Sequence, residues 1–396
     1  MVKIREVRAF PIKNEMVGAL YREGAHTTPT TPRRPPWTKD AEVAGPMSGY
    51  SRFKKLRSTW RFDGAVGCIV TADDGTTGFG ATRYGQPVIH LINDHFAPLL
   101  AGENAMATDR VWDMMMRMSS PYGTDGLAAY AISAVDLAMW DLKGKILGLP
   151  VYELAGGPNR EDMFCYATGN DTDWHMELGF RGTKLACPYG AFDGLDALRR
   201  NEELVAKTRE EIGDDIELML DCWMAFDVEF AVRLAERLRP YDLRWIEDCL
   251  IPENVEGQAS LRQRLPWMTL ATGEHWYGAA TFAQAANSKI ADIFQPDICW
   301  AHGFTGLTRI NHIAEAAGIE VILHAGGNTP FGQHFSFAHP NVRWAEYFVG
   351  GGVGVPLEET IVFPGMAVPK NGRLVPNGEP GFGLGLTDAV LDAMTR

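Results

Sequence analysis

Six polar residues stand at the ends of short apolar runs in the second half of the sequence. They are Asp221, Glu247, Glu274, Asp297, His324 and Glu346, at intervals of 26, 27, 23, 27 and 22 residues. The first run, "IELML", passes into Asp221 without an intervening turn residue. A carboxylate in apolar surroundings is costly unless it is paired or binds a cation. Acids and an imidazole at this regular spacing therefore indicate metal binding and proton transfer.

The first three acids would meet if their strands are neighbours. Three carboxylates gathered in one place repel each other and cannot all stay ionised unaided. A divalent cation removes this repulsion, and an all-oxygen set without His or Cys favours Mg²⁺, or Mn²⁺ as a substitute, over Zn²⁺. The sequence predicts a metal centre formed by Asp221, Glu247 and Glu274. The alternative is three separate carboxylates, each paired with an arginine or lysine.

His324 is the candidate base of the site. It lies one unit beyond Asp297, whose carboxylate can bond one imidazole nitrogen and leave the other free to take a proton. A lone histidine is more often structural, and it is the predicted metal centre nearby that favours a catalytic pair.

Three further residues are candidates at the same rim. Lys184, in "GTKLACP", is either a lysine held in the core or the group that binds a substrate carboxylate. Glu346 can hydrogen-bond a negative oxygen only when protonated, which burial and nearby acids favour. His275 follows Glu274 directly and supports the metal ligands, contacts substrate or simply packs.

Together these groups suit the removal of a proton next to a carboxylate. Loss of the C2 proton places two negative charges on the carboxylate oxygens, and a metal ion with a lysine stabilises that enediolate. A leaving group at C3 can then depart with the help of a general acid.

The elements that position these residues alternate between strand and helix. Apolar periodicity predicts helices from about Ala128 to Gly148, after Asp221 up to Pro240, and from about Leu307 to Gly318. Alternation of this kind predicts a parallel sheet, and units of about 30 residues predict a closed (β/α) barrel whose chemistry lies at the carboxyl ends of the strands. The first part reads as α+β, with a hairpin at Asp74-Gly75. Before it, "HTTPTTPRRPPW" is either a surface linker or a mobile flap over a site.

Composition limits the kinds of partner. The formal net charge of −13 argues against nucleic acid and anionic membranes, but not against a small anionic substrate. The start of the sequence lacks an apolar signal core, and no uncharged apolar run of 18 residues occurs. Six scattered cysteines without a CxxC pair indicate reduced thiols. We therefore expect a cytoplasmic metabolic enzyme.

Several motifs resemble those of the enolase superfamily, in its mandelate-racemase-type branch. They are "AISAVDLAMWDLKGKILGLPVYELAGG", "MLDCW", "WIEDCLIPEN", "TGEH", "QPD" and "LHAGG". Within that branch the chain is most similar to the L-rhamnonate dehydratases, through "CYATGN", "GFRGTKLACPYGAFDG" and "MLDCWMAFDV". The resemblance implies a (β/α)7β barrel over residues 126–370, an α+β capping domain over 1–125, and a C-terminal segment, 371–396, that packs back on the cap.

The resemblance also implies roles for particular residues. Asp221, Glu247 and Glu274 would bind Mg²⁺, and His324, oriented by Asp297, would remove the C2 proton. The same histidine could return a proton to the departing 3-hydroxyl. In the cap, "REGAH" and "MSGYSRFKKLR" suggest His26 and Arg57 as substrate contacts, which makes the Thr/Pro stretch a lid. Relatives are often octamers, so a homo-oligomer is implied.

Two departures bear on the reaction. Many relatives carry a Lys-x-Lys pair on the second barrel strand, whereas here Lys184 is followed by Leu185 and Ala186. Without a second base opposite His324, one-sided dehydration is favoured over racemisation or cycloisomerisation. The Thr27–Pro36 segment departs from the rhamnonate pattern, which leaves L-lyxonate and L-mannonate open beside L-rhamnonate as substrates. A non-catalytic metal- or sugar-acid-binding protein is the remaining alternative.

Overall fold

A three-stranded antiparallel sheet forms the first part of the fold. Its strands β1 (Ile4–Pro11), β2 (Val66–Ala72) and β3 (Thr77–Thr82) lie in that order, and the predicted hairpin at Asp74-Gly75 is confirmed. The structure, a computed structural model, describes residues 1–12, 43–50, 64–349, 352–361, 363, 365–387, 390–391 and 394. His26, Arg57 and the Thr/Pro stretch lie outside these ranges, so their predicted roles stay predictions.

Short helices cover this sheet before one long helix begins. They are α1 (Gly85–His90), the π-helical turn Leu91–Phe96, α2 (Ala97–Leu100) and α3 (Thr108–Ser119). The long helix α4 (Leu127–Leu147) is buried along most of its length, and it ends at Gly148 in the left-handed conformation, with φ +68°. Glycine reaches this conformation without a steric penalty, which is why the helix ends there as predicted.

Helix α4 and strand β3 approach each other closely because β3 carries glycines. A Cβ atom on Gly80 would lie 2.0 Å from the Ala134 carbonyl oxygen, and one on Gly78 would lie 2.0 Å from that of Ala138. Only glycine permits this approach. The small side chains of α4, and of β3 opposite it, therefore set the spacing between helix and sheet.

One buried carboxylate joins three parts of the chain. Asp141 of α4 accepts hydrogen bonds from the Phe79 amide of β3 and from the Phe382 amide near the C-terminus, both at 2.9 Å. The Lys145 ammonium lies 2.6 Å from the same carboxylate. Asp141 thus fastens the sheet, the helix and the C-terminal segment together, and we call these contacts the Asp141 junction.

Eight parallel strands and seven connecting helices form the second part. After the short helix α5 (Val151–Leu154), they run β4 (Met163–Thr168), α6 (Thr172–Glu177), β5 (Gly182–Ala186), α7 (Leu195–Ile212), β6 (Glu217–Asp221), α8 (Val228–Leu238), β7 (Ile246–Glu247), α9 (Val255–Arg264), β8 (Leu270–Thr272), α10 (Gly278–Ser288), β9 (Ile293–Phe294), α11 (Gly303–Ala317), β10 (Glu320–Val321), α12 (Pro330–Ala338) and β11 (Trp344–Phe348). Short 3₁₀ turns lie at Ala191–Asp193, Arg239–Tyr241 and Leu357–Thr360. The helices predicted after Asp221 and before Gly318 are confirmed by α8 and α11.

The sheet curls into a barrel. Its strand order is β10-β9-β8-β7-β6-β5-β4-β11, and every neighbouring pair along this path is parallel. Backbone hydrogen bonds connect each end strand to the segment next to the other. The Val321 amide of β10 donates to the Asn341 carbonyl at 3.4 Å, and the Gly327 amide donates to the Glu346 carbonyl of β11 at 2.7 Å. Six buried apolar side chains, contributed by six strands or the residues next to them, form one cluster, namely Tyr166, Met219, Trp245, Ala271, Ile293 and Ile322. The predicted (β/α)7β barrel with an α+β cap is confirmed.

Residues near the end of the described chain pack on the barrel. The strand β12 (Arg373–Leu374) pairs antiparallel with β4, and Phe382 packs on Phe331 of α12 at a ring distance of 4.9 Å. The division of the chain at 125/126 and 370/371 stays a prediction. No helix in the described ranges combines the length and the apolar character that crossing a bilayer requires.

Candidate active site

The predicted residues gather at the carboxyl ends of the barrel strands. Asp221 ends β6 and is in register with Glu247, which ends β7. Glu274 lies two residues beyond β8, and all three side chains are buried. Neighbouring parallel strands bring their ends to one rim, so the three acids lie on adjacent strands as the sequence predicts.

Lys184 of β5 provides the positive charge that faces these acids. Its ammonium contacts the Glu247 carboxylate and lies 2.8 Å from Oε1 of Glu346. Lysine, glutamate and glutamate are all buried. One ammonium shared between two carboxylates leaves an excess of negative charge at the rim.

The pKa of Glu247 reflects this excess. Burial, together with the negative charges of Asp221, Glu346 and Glu274, raises the pKa of Glu247 to about 8. The ammonium of Lys184 acts in the opposite direction but does not outweigh them. Trp245 and Gln295 also donate to Oε2 of Glu247, at 2.9 and 2.7 Å. Glu247 is thus fixed in place by hydrogen bonds while its pKa is raised. Both properties are expected of a cation ligand when no cation balances its charge.

Glu346 differs from the expectation that it is protonated. Burial does raise its pKa, but the Lys184 ammonium and His324 outweigh burial and hold the pKa at about 2. Thr168 donates to Oε1 at 2.6 Å and the Ala325 amide to Oε2 at 2.8 Å. Glu346 is therefore an ionised partner that fixes Lys184, and the sequence could not reveal this because it does not show which acid the lysine meets.

His324 and Asp297 form the predicted pair. Nδ1 of His324 lies 2.8 Å from Oδ2 of Asp297, and the Cys299 amide donates to the other oxygen at 2.7 Å. The second ring nitrogen, Nε2, lies 3.4 Å from Oε2 of Glu274. Burial lowers the pKa of His324, but Glu274, the bond to Asp297 and Glu346 together raise it to about 10. A cation placed among these acids would lower the pKa towards the range of a base.

His275 lies on the other side of Glu274. Its Nδ1 is 3.1 Å from Oδ2 of Asp248 and 3.3 Å from Oε1 of Glu274. The ring lies near the indoles of Trp223 and Trp300, at centroid distances of 5.8 and 5.9 Å. The structure therefore places His275 in the site, beside the acids.

Several residues that complete the site are absent from the sequence-based candidates. Asp248 contacts His275, Trp223 donates to Oε1 of Glu274 at 3.0 Å, and Trp300 packs on the His324 ring at 4.7 Å. In the sequence, only their position could have indicated these residues, since each follows a strand-end acid by one to three residues. Trp245 lies just before β7 and Gln295 just after β9, where the sequence pattern indicates core residues.

The donor set fits a hard divalent cation. Within the described part of the chain, the group whose ligand atoms all lie within 4.8 Å of one another is Asp248, Glu274 and His275, whereas the three strand-end acids form no such group. Glu247 meets the Lys184 ammonium instead. Both oxygens of Asp248 are already bonded, at 2.8 Å to Thr272 and 3.1 Å to His275. The buried carboxylates of Asp221, Glu247 and Glu274, with oxygen donors only, fit Mg²⁺ better.

Comparison with known proteins agrees with this geometry. Residues 172–390 match the enolase C-terminal domain-like family, and residues 58–156 match the N-terminal domain of mandelate racemase / muconate lactonizing enzyme. An L-rhamnonate dehydratase from Saccharopolyspora erythraea is 37% identical over 98% of this chain and 98% of its own.

Two solved structures extend the likeness to the fold. The rhamnonate dehydratase from Gibberella zeae complexed with Mg is 31% identical over 99% of this chain and 96% of its own, with a TM-score of 0.88. The 3,6-anhydro-D-galactonate cycloisomerase from Zobellia galactanivorans is 28% identical over 84% of this chain and 94% of its own, with a TM-score of 0.74. The chain belongs to the enolase superfamily, in the branch that is named after mandelate racemase and muconate lactonizing enzyme.

Proposed function

We propose that this chain is a Mg²⁺-dependent acid-sugar dehydratase, a hydro-lyase that converts L-rhamnonate to its 2-keto-3-deoxy acid. The observation that carries the proposal is the Asp297–His324 pair, bonded at 2.8 Å, whose free ring nitrogen faces the strand-end acids at 3.4 Å. A base beside a cation site is what proton abstraction next to a carboxylate requires. The 37% identity to an L-rhamnonate dehydratase supports the choice of reaction and of substrate.

Asp221, Glu247 and Glu274 would hold the metal ion. When bound, Mg²⁺ supplies positive charge that stabilises negative oxygens as they form on the substrate. Because one lysine serves two glutamates here, the acids need this charge to remain ionised together. The Mg-complexed rhamnonate dehydratase structure supports Mg²⁺ as the ion, and Mn²⁺ remains a candidate substitute.

His324 would take the proton from C2. Asp297 bonds Nδ1, which leaves Nε2 to accept that proton and stabilises the resulting imidazolium. Trp300 packs on the ring and limits its rotation. The same nitrogen then returns the proton to the 3-hydroxyl, which departs as water.

Lys184 would bind the substrate carboxylate from the other side. Its ammonium is buried, and Thr168 and the Ala325 amide hold its partner Glu346 in place. A donor fixed before the reaction stabilises charge at little reorganisation cost. The position two residues further is Ala186, so this strand supplies one cation and no second base.

An aldonate panel with the Mg²⁺-loaded protein tests the function. L-Rhamnonate, L-mannonate and L-lyxonate are incubated separately, and the 2-keto acid is detected by its semicarbazone absorbance. We expect the highest kcat/KM with L-rhamnonate. Turnover of the five-carbon acid alone would reject L-rhamnonate as the substrate, and no 2-keto acid from any aldonate would reject the dehydratase.

The base is tested by His324→Asn. Asparagine keeps a hydrogen-bonding side chain but cannot take the proton, so we expect kcat to fall by at least ~10³-fold while Mg²⁺ still binds. The control His312→Asn changes an exposed histidine and should keep wild-type kcat. A His324→Asn variant with more than a tenth of wild-type kcat would remove His324 from the proposed role.

A cycloisomerase is the second candidate, favoured by the 28% identity to the Zobellia enzyme. A cycloisomerase would exchange the C2 proton in D₂O or isomerise its substrate without loss of water, so that the product keeps the mass of the substrate. Proton NMR together with mass spectrometry distinguishes this outcome from dehydration.

We further propose a cytoplasmic, homo-oligomeric enzyme, octameric by analogy with its superfamily. All six cysteines are free thiols, which fits a reducing compartment.

A further inference from the structure

Asp248 has a backbone conformation that its position in the chain does not lead one to expect. It follows Glu247 directly, and alternation along a strand would turn its side chain away from the one before it. Its φ is +50°, a region that residues other than glycine seldom adopt. Two backbone bonds hold it there, from Asp248 to Ala271 at 3.0 Å and from Met224 to Asp248 at 2.6 Å. Such strain persists only where the surroundings enforce it, and it is commonest at functional sites.

The turn at Asp248 brings its carboxylate to the end of strand β8. There Oδ1 accepts from the Thr272 hydroxyl at 2.8 Å, and Oδ2 lies 3.1 Å from Nδ1 of His275. The carboxylate is buried, and His275 is only 13% exposed. Thr272 therefore fixes one oxygen, and the other is left for the imidazole.

This contact repeats the arrangement of the proposed base. Glu274 lies between two imidazoles, with Oε1 3.3 Å from Nδ1 of His275 and Oε2 3.4 Å from Nε2 of His324. Each imidazole is bonded through Nδ1 to an aspartate, Asp248 in one case and Asp297 in the other. Bonding at Nδ1 leaves Nε2 as the nitrogen that each histidine can present to a ligand.

We propose that Asp248 is a positioning residue that holds His275 against the substrate as the second histidine of the site. Asp248 and Thr272 lock the imidazole between the indoles of Trp223 and Trp300, so that Nε2 contacts a hydroxyl of the sugar acid. This inference rests on the proposed function, since it assigns a further contact in the same reaction.

The competing role for Asp248 is that of a metal ligand. Asp248, Glu274 and His275 lie close enough together to hold an ion. Against this role, both Asp248 oxygens are occupied by Thr272 and His275, and His275 uses its Nδ1 in the contact. Metal affinity therefore separates the two roles.

The experiment compares Asp248→Asn, Thr272→Val and Thr272→Ser as Mg²⁺-loaded proteins. In Asp248→Asn, an amide NH₂ replaces one of the two carboxylate oxygens that contact Thr272 and His275. In Thr272→Val, the hydroxyl that donates to Asp248 is removed. For both, we expect kcat with L-rhamnonate to fall ~10–100-fold, the loss typical when a group behind an active-site residue is removed. Thr272→Ser retains a hydroxyl and should recover most of the activity that valine loses.

Two readouts distinguish positioning from general damage. Titration calorimetry should give a Mg²⁺ Kd no more than ~100-fold above that of wild type for Asp248→Asn, the upper loss for a contact behind the ligands, since the proposed cation ligands are intact. The ¹⁵N spectrum of histidine-labelled protein should show the His275 Nδ1–H signal in wild type and Thr272→Ser, and its loss or shift in Asp248→Asn.

Each result decides the proposal. A Mg²⁺ Kd raised by more than ~100-fold in Asp248→Asn, beyond the loss expected for a contact behind the ligands, would make Asp248 a ligand and overturn positioning. An unchanged His275 signal, or unchanged kcat, would overturn it as well. If wild type turns over no aldonate, the proposed function fails, and the ¹⁵N comparison still judges the contact because it needs no substrate.

Discussion

At the scale of single residues, the site depends on how few positive charges face its acids. Lys184 is buried between Glu247 and Glu346, and the two glutamates differ sharply as a result. The pKa of Glu346 is held at about 2, whereas that of Glu247 is raised to about 8. The one ammonium thus lowers the pKa of both carboxylates, and the negative charge that it does not balance is left for a cation.

Replacing Lys184 tests this division of charge. Lys184→Met should lower kcat by ~10²–10³-fold, the usual loss when a donor to a developing oxyanion is removed. Mg²⁺ should bind as tightly as in wild type or more tightly, because removing a positive charge makes the rim more attractive to a cation. Calorimetry measures this affinity, and weaker Mg²⁺ binding would contradict the prediction.

The control for this variant is Lys207→Met, which removes a lysine whose side chain is 43% exposed and should leave both quantities unchanged. Circular dichroism of Lys184→Met is also needed, because the variant leaves Glu346 buried without its ammonium partner.

At the scale of elements, residues in the left-handed conformation shape the rim. Trp223, Asp248 and Ala325 have φ of 39°, 50° and 49°, and each closely follows a strand-end acid or histidine. In each case the turn serves a contact, since Trp223 donates to Glu274, Asp248 meets His275, and the Ala325 amide donates to Glu346. Short strands with sharp exits therefore aim side chains that a straight strand would point elsewhere.

The contact between α4 and β3 makes a sharper prediction about stability. Gly80→Ala should lower the free energy of unfolding by roughly 2–3 kcal/mol, because its Cβ would lie 2.0 Å from a backbone oxygen that cannot rotate away. Gly352→Ala is the matched control, since a Cβ there meets nothing within 4 Å. Urea denaturation measures both, and equal midpoints would show that the helix shifts to accommodate the methyl group.

Sequence patterns predicted the elements well because they are set by local chemistry. The apolar run before Asp221, the glycine after α4 and the hairpin at Asp74-Gly75 are each encoded within a few residues. The direction of the Asp248 side chain cannot be predicted in this way. Strand alternation predicts that it points away from the site, whereas its positive φ directs it to the same side as Glu247. The sequence could not predict the ionised state of Glu346 either, since this state depends on a contact with Lys184 of another strand.

At the scale of the whole molecule, buried histidines make stability depend on pH. Burial lowers the pKa of His175 from 6.5 to about 3, and it does the same to His334. Above pH 6.5 these rings are neutral in both the folded and the unfolded chain, so their burial contributes fully to the free energy of unfolding. As pH falls below 6.5, the unfolded chain takes up protons that the folded chain refuses until about pH 3, so stability is progressively lost.

His175→Gln tests this dependence. Glutamine can keep a hydrogen bond to Thr183, which lies 2.7 Å from Nδ1 of His175, but it cannot be protonated. Between pH 6 and pH 4 we expect the slope of unfolding free energy against pH to drop by about 1.4 kcal/mol per pH unit, the value for one proton. Urea midpoints at several pH values measure the slope, and parallel curves for variant and wild type would disprove the prediction.

The Asp141 junction limits how this enzyme can be recombined with its relatives. The carboxylate is fully buried and accepts from the amides of Phe79 and Phe382, which are far apart in the sequence. A chimera that takes its first sheet from one parent and its final segment from another must still present both amides to this acid. A chimera with an exchanged cap should therefore fold only if both peptide groups still reach this carboxylate. Cap exchange can alter the substrate range only in chimeras that meet this condition.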